Sequence, residues 1–418
     1  MLVGAPEQGL DRRLADEHIE ELARLTDTAG GEVVATLSQR ITRPDPRFYV
    51  GAGKARELAD LVREQEADLV LFDEELSPAQ GKNLEDLLGV RVMDRSELIL
   101  DIFATRARSK EARMQVELAQ LEYLLPRLRR MWSHLSRIRG GIGLRGPGET
   151  QLETDRRLIG TRIADLRAKL RDVAKARAEQ RKSRAGWFRA ALVGYTNAGK
   201  SSLLRALSGA DLLVEDRLFA TLDSATRAVD IGAGHEALVT DTVGFIRKLP
   251  HHLVASFRST LEEAREADVL LHVIDASHSD WEEQREVVND VLAELDLEDR
   301  DRVLVFNKLD RVTHAEEEGL RARIRSLEPT PAVFVSARDP ASLGALRETL
   351  KARLYARLAH VIVRVPVVDG EAIAAVYREG EVVERVDDSA RVSLTARLPR
   401  QLLGRLARRS GVTVEDVA

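Results

Sequence analysis

One stretch of eleven residues, LVGYTNAGKSS at positions 192–202, constrains the fold of this chain more than any other. It carries the pattern G-x-x-x-x-G-K-S between an apolar run and the helix-forming residues 203–207. The glycines let the backbone curl until its N–H groups face a phosphate, and the following helix directs its positive end at the same anion. Lys200 is then expected to reach the β- and γ-phosphates and Ser201 to place its hydroxyl on Mg²⁺. The stretch predicts a phosphate-binding loop rather than a chance glycine-rich turn, with these contact residues: Gly194, Tyr195, Thr196, Asn197, Ala198, Gly199, Lys200, Ser201 and Ser202.

Two downstream motifs supply the other groups that a Mg²⁺-bound triphosphate needs. Thr221 lies 21 residues after Lys200, where a GTPase loop provides a threonine to Mg²⁺ and an N–H to the γ-phosphate; Thr226 is the alternative. A D-x-x-G motif follows an apolar run, so Asp241 is expected to hold Mg²⁺ through water and the Gly244 N–H to meet the γ-phosphate. The predicted nucleotide contacts here are Phe219, Ala220, Thr221, Leu222, Asp223, Asp241, Thr242, Val243 and Gly244, and the predicted metal ligands are Ser201, Thr221 and Asp241.

An N-K-x-D motif at the end of another apolar run predicts that the base is guanine. The Asp310 carboxylate can accept hydrogen bonds from guanine N1–H and the 2-amino group, whereas adenine would leave it unpaired. A backbone N–H after the apolar run at 332–335 is expected to meet guanine O6. Four motifs in this order make GTP the predicted nucleotide. The contact residues predicted for the base are Asn307, Lys308, Leu309, Asp310, Ser336, Ala337 and Arg338.

Phe245, directly after the D-x-x-G motif, stands where many GTPases carry a glutamine that orients the attacking water. Phenylalanine cannot orient water by hydrogen bonding, so we expect slow hydrolysis by the protein alone or completion of the site by another group. In GTPases activated by potassium, an asparagine at the position of Asn197 helps to hold K⁺ beside the phosphates. We therefore predict that hydrolysis depends on Lys200, Thr221, Gly244 and Asn197, with Mg²⁺ and K⁺ as candidate ions.

Apolar runs alternating with helical patterns divide the chain into four segments. Strands over 32–38, 68–73 and 90–94 with helices between them predict a small parallel sheet. The glycine-containing run at 50–54 lacks the spacing of a phosphate loop, so we interpret it as a strand-to-helix turn. The prediction is a multidomain α/β protein: a parallel α/β domain at 1–107, an antiparallel helical hairpin at 108–184, a P-loop GTPase domain with a mostly parallel, helix-flanked sheet at 188–358, and a small α+β domain at 359–418.

The hairpin prediction rests on two apolar seams joined by a glycine-rich loop at 140–148. In the first seam, Pro126 is expected to kink or loosen the helix. The seams consist of Met114, Leu118, Leu121, Leu125, Leu128, Trp132 and Leu135, and of Ile159, Ile163, Leu166, Leu170 and Val173. Five glycines exceed what a simple turn needs, and arginines suit phosphates and stacked bases, so we favour an RNA-binding tip over an oligomerisation coiled coil. The arginines near the tip are Arg137, Arg139, Arg145, Arg156 and Arg157.

The charge distribution supports a nucleic-acid partner for this segment. Residues 104–184 hold 21 Lys and Arg against 9 Asp and Glu, a local net charge of +12 in a chain whose total is −5. The absence of cysteine and of an 18-residue apolar run predicts no disulfide and no transmembrane helix, and the first residues lack the plan of a signal peptide. These features favour a cytoplasmic protein without a membrane partner.

Several stretches together resemble the ribosome-associated HflX GTPases, and the resemblance covers essentially the whole chain. They are DEELSPAQ at 73–80, QVELAQL at 115–121, GPGETQLETD at 146–155, FATLD at 219–223 and DTVGFI at 241–246. The resemblance implies a factor that binds the large ribosomal subunit and its rRNA, as a monomer there. It also implies splitting or rescue of stalled ribosomes and GTP hydrolysis stimulated by the large subunit. Residues 359–418 correspond to the variable part of the family.

Three other functions fit parts of the sequence less well. An RNA-modifying GTPase would need a nucleophile such as cysteine, which is absent. A signalling GTPase without an RNA partner would not need the basic segment. A mainly ATP-driven RNA remodeller conflicts with Asp310, although a second nucleotide site in the N-terminal domain stays open.

Overall fold

A computed structural model describes residues 1–131, 147–182, 186–210, 217–249, 258–327 and 330–417. The predicted glycine-rich tip up to residue 146, the seam residues Trp132 and Leu135, the tip arginines Arg137, Arg139 and Arg145, and residues 183–185 lie outside the described residues. The described residues form three sheets and a pair of long helices, arranged as a multidomain α/β protein.

The first sheet is parallel and has the strand order β2-β1-β3-β4. Its helices begin where the sequence provides caps: Ser77 and Gln80 form a capping box at the start of the third helix. The strands are Leu2–Gly4 (β1), Thr36–Ser38 (β2), Leu69–Phe72 (β3) and Arg91–Asp94 (β4). The helices are Arg12–Thr28 (α1), Ala52–Glu64 (α2), Pro78–Leu88 (α3) and Arg95–Arg106 (α4).

Two details of this unit differ from the sequence-based expectation. The strand expected over 32–38 pairs only over Thr36–Ser38, because its partner β1 is just three residues long. The turn at 50–54 does lead into a helix, with Gly51 as N-cap at φ 83°, but Tyr49 at φ 67° shows that a turn precedes it instead of a strand.

Two long helices follow, Lys110–Met131 (α5) and Pro147–Lys182 (α6). Met114 and Leu118 of α5 are buried against Ile163 and Leu166 of α6, so the predicted seams meet within one chain. The helices are antiparallel, as ion pairs between them show: Glu111 pairs with Arg177 at 2.7 Å and Glu122 with Arg167 at 2.8 Å. Pro126 lies inside helix α5, and the expected kink or looser turn there stays a prediction.

The central sheet has six strands in the order β10-β9-β8-β5-β7-β6, all parallel except β6 at one edge. The strands are Phe188–Gly194 (β5), Ala225–Gly232 (β6), His235–Asp241 (β7), Val269–Asp275 (β8), Arg302–Asn307 (β9) and Ala332–Phe334 (β10). The helices beside them are Lys200–Ser208 (α7), Arg258–Arg265 (α8), Trp281–Glu294 (α9), His314–Leu327 (α10) and Gly344–Arg357 (α11), with short 3₁₀ turns at Leu309–Arg311 and Pro340–Leu343.

The last sheet is antiparallel and has the order β12-β13-β11-β14. Pro399 is the N-cap residue of the last helix, and a short strand follows that helix. The elements are Ala359–Pro366 (β11), Gly370–Glu379 (α12), Glu381–Asp387 (β12), Arg391–Leu398 (β13), Arg400–Leu406 (α13) and Thr413–Asp416 (β14).

One apolar cluster runs from the N-terminal sheet unit into the central one. It contains Leu22 and Leu25 of α1, Phe103 of α4, and Phe219 and Phe245 of the central unit, all 2 % exposed or less. The removal of these apolar side chains from water is the main contribution that stabilises such an interface. The N-terminal unit is therefore packed directly on the loops that carry the predicted nucleotide motifs.

Candidate functional site

The predicted phosphate loop connects β5 to α7 at the carboxyl edge of the central sheet, where ligands bind in open parallel sheets. Gly199 has φ 93°, and a Cβ there would lie 2.3 Å from Asn307 Nδ2, so only glycine fits. Asn197 also has a left-handed φ of 61°, which asparagine tolerates. These residues give the loop the curled backbone that phosphate binding requires.

Lys200 is buried beneath this loop. Its Nζ donates hydrogen bonds to the carbonyl oxygens of Tyr195 at 2.9 Å and Gly194 at 3.1 Å, which fixes the ammonium group under the loop. Burial lowers the pKa of Lys200 to about 8, while Asp241 acts in the opposite direction. A bound phosphate would add negative charge beside this ammonium group and favour its charged form.

The three predicted metal ligands come together below the loop. Ser201 Oγ lies 2.6 Å from Thr221 Oγ1 and donates to Asp241 Oδ2 at 2.6 Å. Burial raises the pKa of Asp241, although Lys200 and Ser201 act against it. Among the described residues, Asp241 Oδ1 is buried with no hydrogen-bond partner. Two hydroxyls and a carboxylate with an unsatisfied oxygen are donors of the type that Mg²⁺ prefers, so the residues fit the ion.

Gly244 and Phe245 run beside the phosphate loop. The Thr196 N–H donates to Phe245 O at 2.7 Å, and the Phe245 N–H donates to Gly194 O at 3.1 Å. The Phe245 ring is 1 % exposed and belongs to the apolar cluster shared with the N-terminal unit. Its side chain is thus part of the core, and it cannot hold a water molecule at the site.

The predicted base-binding residues meet at the other end of the loop. Asn307 donates from Nδ2 to Ala198 O at 3.0 Å and accepts the Ala337 N–H at 3.0 Å, so one side chain joins the phosphate loop to the base loop. Asp310 accepts from Ser336 Oγ at 2.6 Å, and this hydrogen bond lowers the pKa of its carboxyl, with burial acting against it. Asp310 is therefore an ionised acceptor at neutral pH.

These groups line two adjoining clefts, the larger with a volume of about 710 Å³. The residues predicted from the sequence that line the larger cleft are Asn197, Gly199, Ser202, Asn307, Lys308, Asp310, Ala337 and Arg338. The smaller cleft is lined by Thr196, Asn197, Gly199, Lys200, Ser201, Ser202, Phe219, Ala220, Thr221, Thr242 and Gly244. The predicted contacts that line neither cleft are Gly194, Tyr195, Ala198, Leu222, Asp223, Asp241, Val243, Leu309 and Ser336.

Three arginines of these clefts, Arg205, Arg217 and Arg311, were missed from the sequence. Arg205 lines the larger cleft, and its position three residues after Ser202 on α7 is a helical spacing that could have indicated it. Arg217 lines the smaller cleft, and no local pattern distinguishes it from other surface arginines.

Comparison with known proteins places this arrangement in a family. Three family models match the chain: "GTP-binding GTPase N-terminal" at 16–104, "GTP-binding GTPase Middle Region" at 106–184 and "50S ribosome-binding GTPase" at 189–308. A GTPase HflX of Magnetococcus marinus is 44% identical over 421 residues, which cover 99% of this chain and 96% of that protein. The chain belongs to the HflX GTPase family.

A second relative carries the same family name, and a solved structure of a GTP-binding protein is also similar. A GTPase HflX of Flavobacterium psychrophilum is 50% identical over 314 residues, 75% of this chain and 76% of that one. A crystal structure of a GTP-binding protein from the archaeon Sulfolobus solfataricus in complex with GDP is 25% identical, with a TM-score of 0.44, and the match covers 84% of this chain and 98% of that one. As an HflX GTPase, the protein binds GTP and hydrolyses it to GDP and phosphate.

The phosphate loop of this GTPase is also joined to the N-terminal unit by buried polar contacts. The Tyr195 hydroxyl donates to Glu21 of α1 and accepts the Arg247 N–H at 2.9 Å. Arg95 of α4, 2 % exposed, pairs with Glu21 at 2.8 Å and with Asp73 at 2.7 Å. Lys248, just beyond the D-x-x-G motif, also pairs with Asp73, so the network reaches from the phosphate loop through the N-terminal unit to the segment after Gly244.

None of the helices within the described ranges combines the length and the apolar character needed to cross a membrane.

Proposed function

We propose that this GTPase binds the large ribosomal subunit and splits or rescues stalled ribosomes. The observation that carries the proposal is the match of residues 189–308 to a family described as 50S ribosome-binding GTPases, in a chain that also presents a basic helical hairpin. A protein with this task would work in the cytoplasm. The four segments at 1–107, 108–184, 188–358 and 359–418 would be its domains.

The hairpin is proposed to contact rRNA as part of a monomer. Its apolar seam is already buried between α5 and α6, so the seam is not available to a second copy. Arg156 and Arg157 lie exposed on α6 near its start, where they could reach phosphates. A solvated, arginine-rich helix end suits RNA better than it suits a helical dimer interface.

Cosedimentation with large ribosomal subunits tests this proposal. We expect binding with a non-hydrolysable GTP analogue that weakens steeply as salt rises, because phosphate contacts release counterions. Replacing both Arg156 and Arg157 by glutamate should weaken binding and reduce the slope of log K against log salt by about 2. A matched pair on α2, Arg56→Glu with Arg63→Glu, should bind like the parent.

No cosedimentation of the parent protein at low salt would refute the proposed function. An unchanged salt slope in the Arg156 and Arg157 variant would remove this end of α6 from the interface, since each lost phosphate contact must reduce the slope.

For hydrolysis, we propose that the chain's own groups position and neutralise the phosphates. Ser201, Thr221 and Asp241 would hold Mg²⁺, which, when bound, would neutralise charge on the β- and γ-phosphate oxygens. Lys200 would donate to the same phosphates, and the backbone N–H of Gly244 would fix the γ-phosphate. Since Phe245 is buried, another group would orient the attacking water. The ribosome would supply that group, and this would be the origin of its stimulation of hydrolysis.

Asn197 is the proposed ligand of an activating K⁺ ion. It sits in the phosphate loop and lines both clefts, beside the position of the phosphates. We expect hydrolysis by the isolated protein at about 10⁻⁴ s⁻¹, the rate of unstimulated small GTPases, and a higher rate when K⁺ replaces Na⁺. In Asn197→Ala the two ions should give equal rates. Equal rates in the parent protein would exclude this role.

Asp310 is the proposed reader of the guanine base. Asp310→Asn should raise the Kd of GTP by about 10- to 150-fold, because a charge-assisted hydrogen bond contributes about 1.5–3 kcal/mol. The same variant should gain affinity for xanthosine triphosphate, whose 2-oxygen can accept from the new amide. Calorimetric titration with both nucleotides decides this, and unchanged affinity for GTP would contradict the assignment.

A further inference from the structure

The FATLD motif at 219–223 is attached at both ends to segments outside the central unit, to α4 at its first residue and to the start of the hairpin at its last. At its first position, Phe219 adopts a left-handed backbone, φ 55°, and its N–H donates to Thr196 Oγ1 at 2.9 Å. The ring is 2 % exposed and packs edge-on against Phe103 of α4, with 4.6 Å between ring centroids. An aromatic residue in this conformation is strained, so the buried ring contact must stabilise it.

At the last position of the motif, Asp223 contacts the start of the hairpin. Its Oδ2 accepts the backbone N–H groups of Arg108 and Ser109, both at 3.1 Å, and its Oδ1 accepts the Ser109 hydroxyl. Ser109 Oγ in turn accepts the Ala112 N–H at 3.0 Å, so Ser109 caps α5. The Asp223 carboxylate thus orders the helix start and lies at the positive end of its dipole.

This contact does more than complete a cap. Ser109 already provides the local cap, yet Asp223 comes from a position 114 residues further along the chain. If capping alone were required, an acidic residue within the hairpin would suffice. Asp223 instead joins the first hairpin helix to the loop that carries Thr221.

Thr221 lies midway between the two fixed points. Its hydroxyl is 2.6 Å from Ser201 Oγ, in the predicted metal site, and it is two residues from both Phe219 and Asp223. Two residues of extended chain span about 7 Å at most. Thr221 therefore cannot move far without displacing the Phe219 ring or pulling on the start of α5.

We propose that Asp223 and Phe219 are positioning residues that couple the position of Thr221 to the orientation of the hairpin. When Thr221 contacts an ion bound with GTP, the orientation of α5 and α6 changes. In the other direction, a partner bound to the hairpin holds Thr221 in the position needed for hydrolysis. GTP must change the affinity for the hairpin's partner by the same factor by which the partner changes the affinity for GTP, because coupling between two sites is reciprocal. This inference rests on the proposed role of Thr221 at the γ-phosphate.

Distance measurement between two spin labels tests the coupling. The chain has no cysteine, so Lys175→Cys on α6 and Glu318→Cys on α10 allow specific labelling at exposed sites, 81 % and 70 % accessible. In the parent background we expect different distance distributions with GDP and with a non-hydrolysable GTP analogue. Asp223→Ala should give the same distribution with both nucleotides, measured at nucleotide concentrations that saturate the parent and the variant alike.

Two variants separate coupling from general damage. Asp223→Asn should keep the nucleotide-dependent shift, because asparagine can accept the same backbone N–H groups. Asp230→Ala removes another aspartate of the central unit, which accepts only the local Gly232 N–H among the hydrogen bonds described, and it should behave like the parent. In steady-state GTP hydrolysis, large subunits should no longer raise the kcat of Asp223→Ala. The KM for GTP should not account for this loss.

Identical distributions with GDP and the GTP analogue in the parent would overturn the coupling, as would a full nucleotide-dependent shift in Asp223→Ala. These outcomes are independent of the ribosome. Failure of the parent to cosediment with large subunits would refute the proposed function while leaving the label result to decide the coupling.

Discussion

Replacing Gly244 by alanine is expected to reduce GTP hydrolysis at least about 100-fold, the effect of displacing catalytic groups by about 1 Å. A Cβ at this position would lie 2.7 Å from Thr196 Cα and 2.9 Å from Lys200 Nζ. The lysine cannot move aside freely, because it is buried and bonded to two carbonyl oxygens. The added methyl must therefore push the segment after β7 away from the phosphate loop.

Single-turnover hydrolysis, measured together with the Kd of GDP, checks this expectation. Binding of GDP should change little, since the clash lies beside the proposed γ-phosphate position. Gly319→Ala on α10 is the matched control, because nothing lies within 4 Å of its added Cβ. That variant should hydrolyse GTP normally. A Gly244→Ala protein with parental hydrolysis would show that the loop tolerates the displacement.

Replacing Arg95 by methionine is expected to destabilise the protein by about 3–5 kcal/mol, the usual effect of breaking a buried ion pair. Arg95 contacts Glu21 and Asp73, which are 3 % and 1 % exposed by side chain, so both carboxylates would lose their buried partner. Arg63→Met is the control, because its partner Asp60 and Arg63 itself are over 70 % exposed. That change should alter stability by less than about 1 kcal/mol. Urea unfolding monitored by circular dichroism measures both.

The pH dependence of this loss gives a second check. Burial alone would raise the pKa of Asp73, but Arg95 and Lys248 outweigh it and hold the pKa below the ordinary value. A depressed carboxyl pKa contributes stability that is present above about pH 4 and is lost as the pH falls through the folded-state pKa. The difference between parent and Arg95→Met should be full at pH 7, should shrink on acidification as Asp73 of the variant takes up a proton, and should be smallest below the folded-state pKa of Asp73 in the parent. A difference that grows on acidification would show that the carboxylates are not the cause.

The sequence alone could predict the nucleotide site because that site depends on local geometry. The loop around Lys200 needs glycines and a following helix at fixed spacing, and Asp310 needs only to lie in the turn that follows a strand. The parallel strands that carry these motifs bring their carboxyl ends to one edge, so the order of the motifs implied their proximity. The buried seam between α5 and α6 followed in the same way from helical periodicity.

Other features were decided only by the tertiary structure. Strands β1 and β14 have three and four residues, too few for an alternation to be recognised, and partners elsewhere in the chain define them. The contacts of Arg95, Tyr195 and Asp223 join residues 22 to 174 positions apart, so no spacing in the sequence indicates them. A carboxylate can bind a metal, cap a helix or face solvent, and its partners decide which. The sequence by itself therefore determined which chemical groups meet at the candidate nucleotide site, and long-range packing determined what that site is attached to.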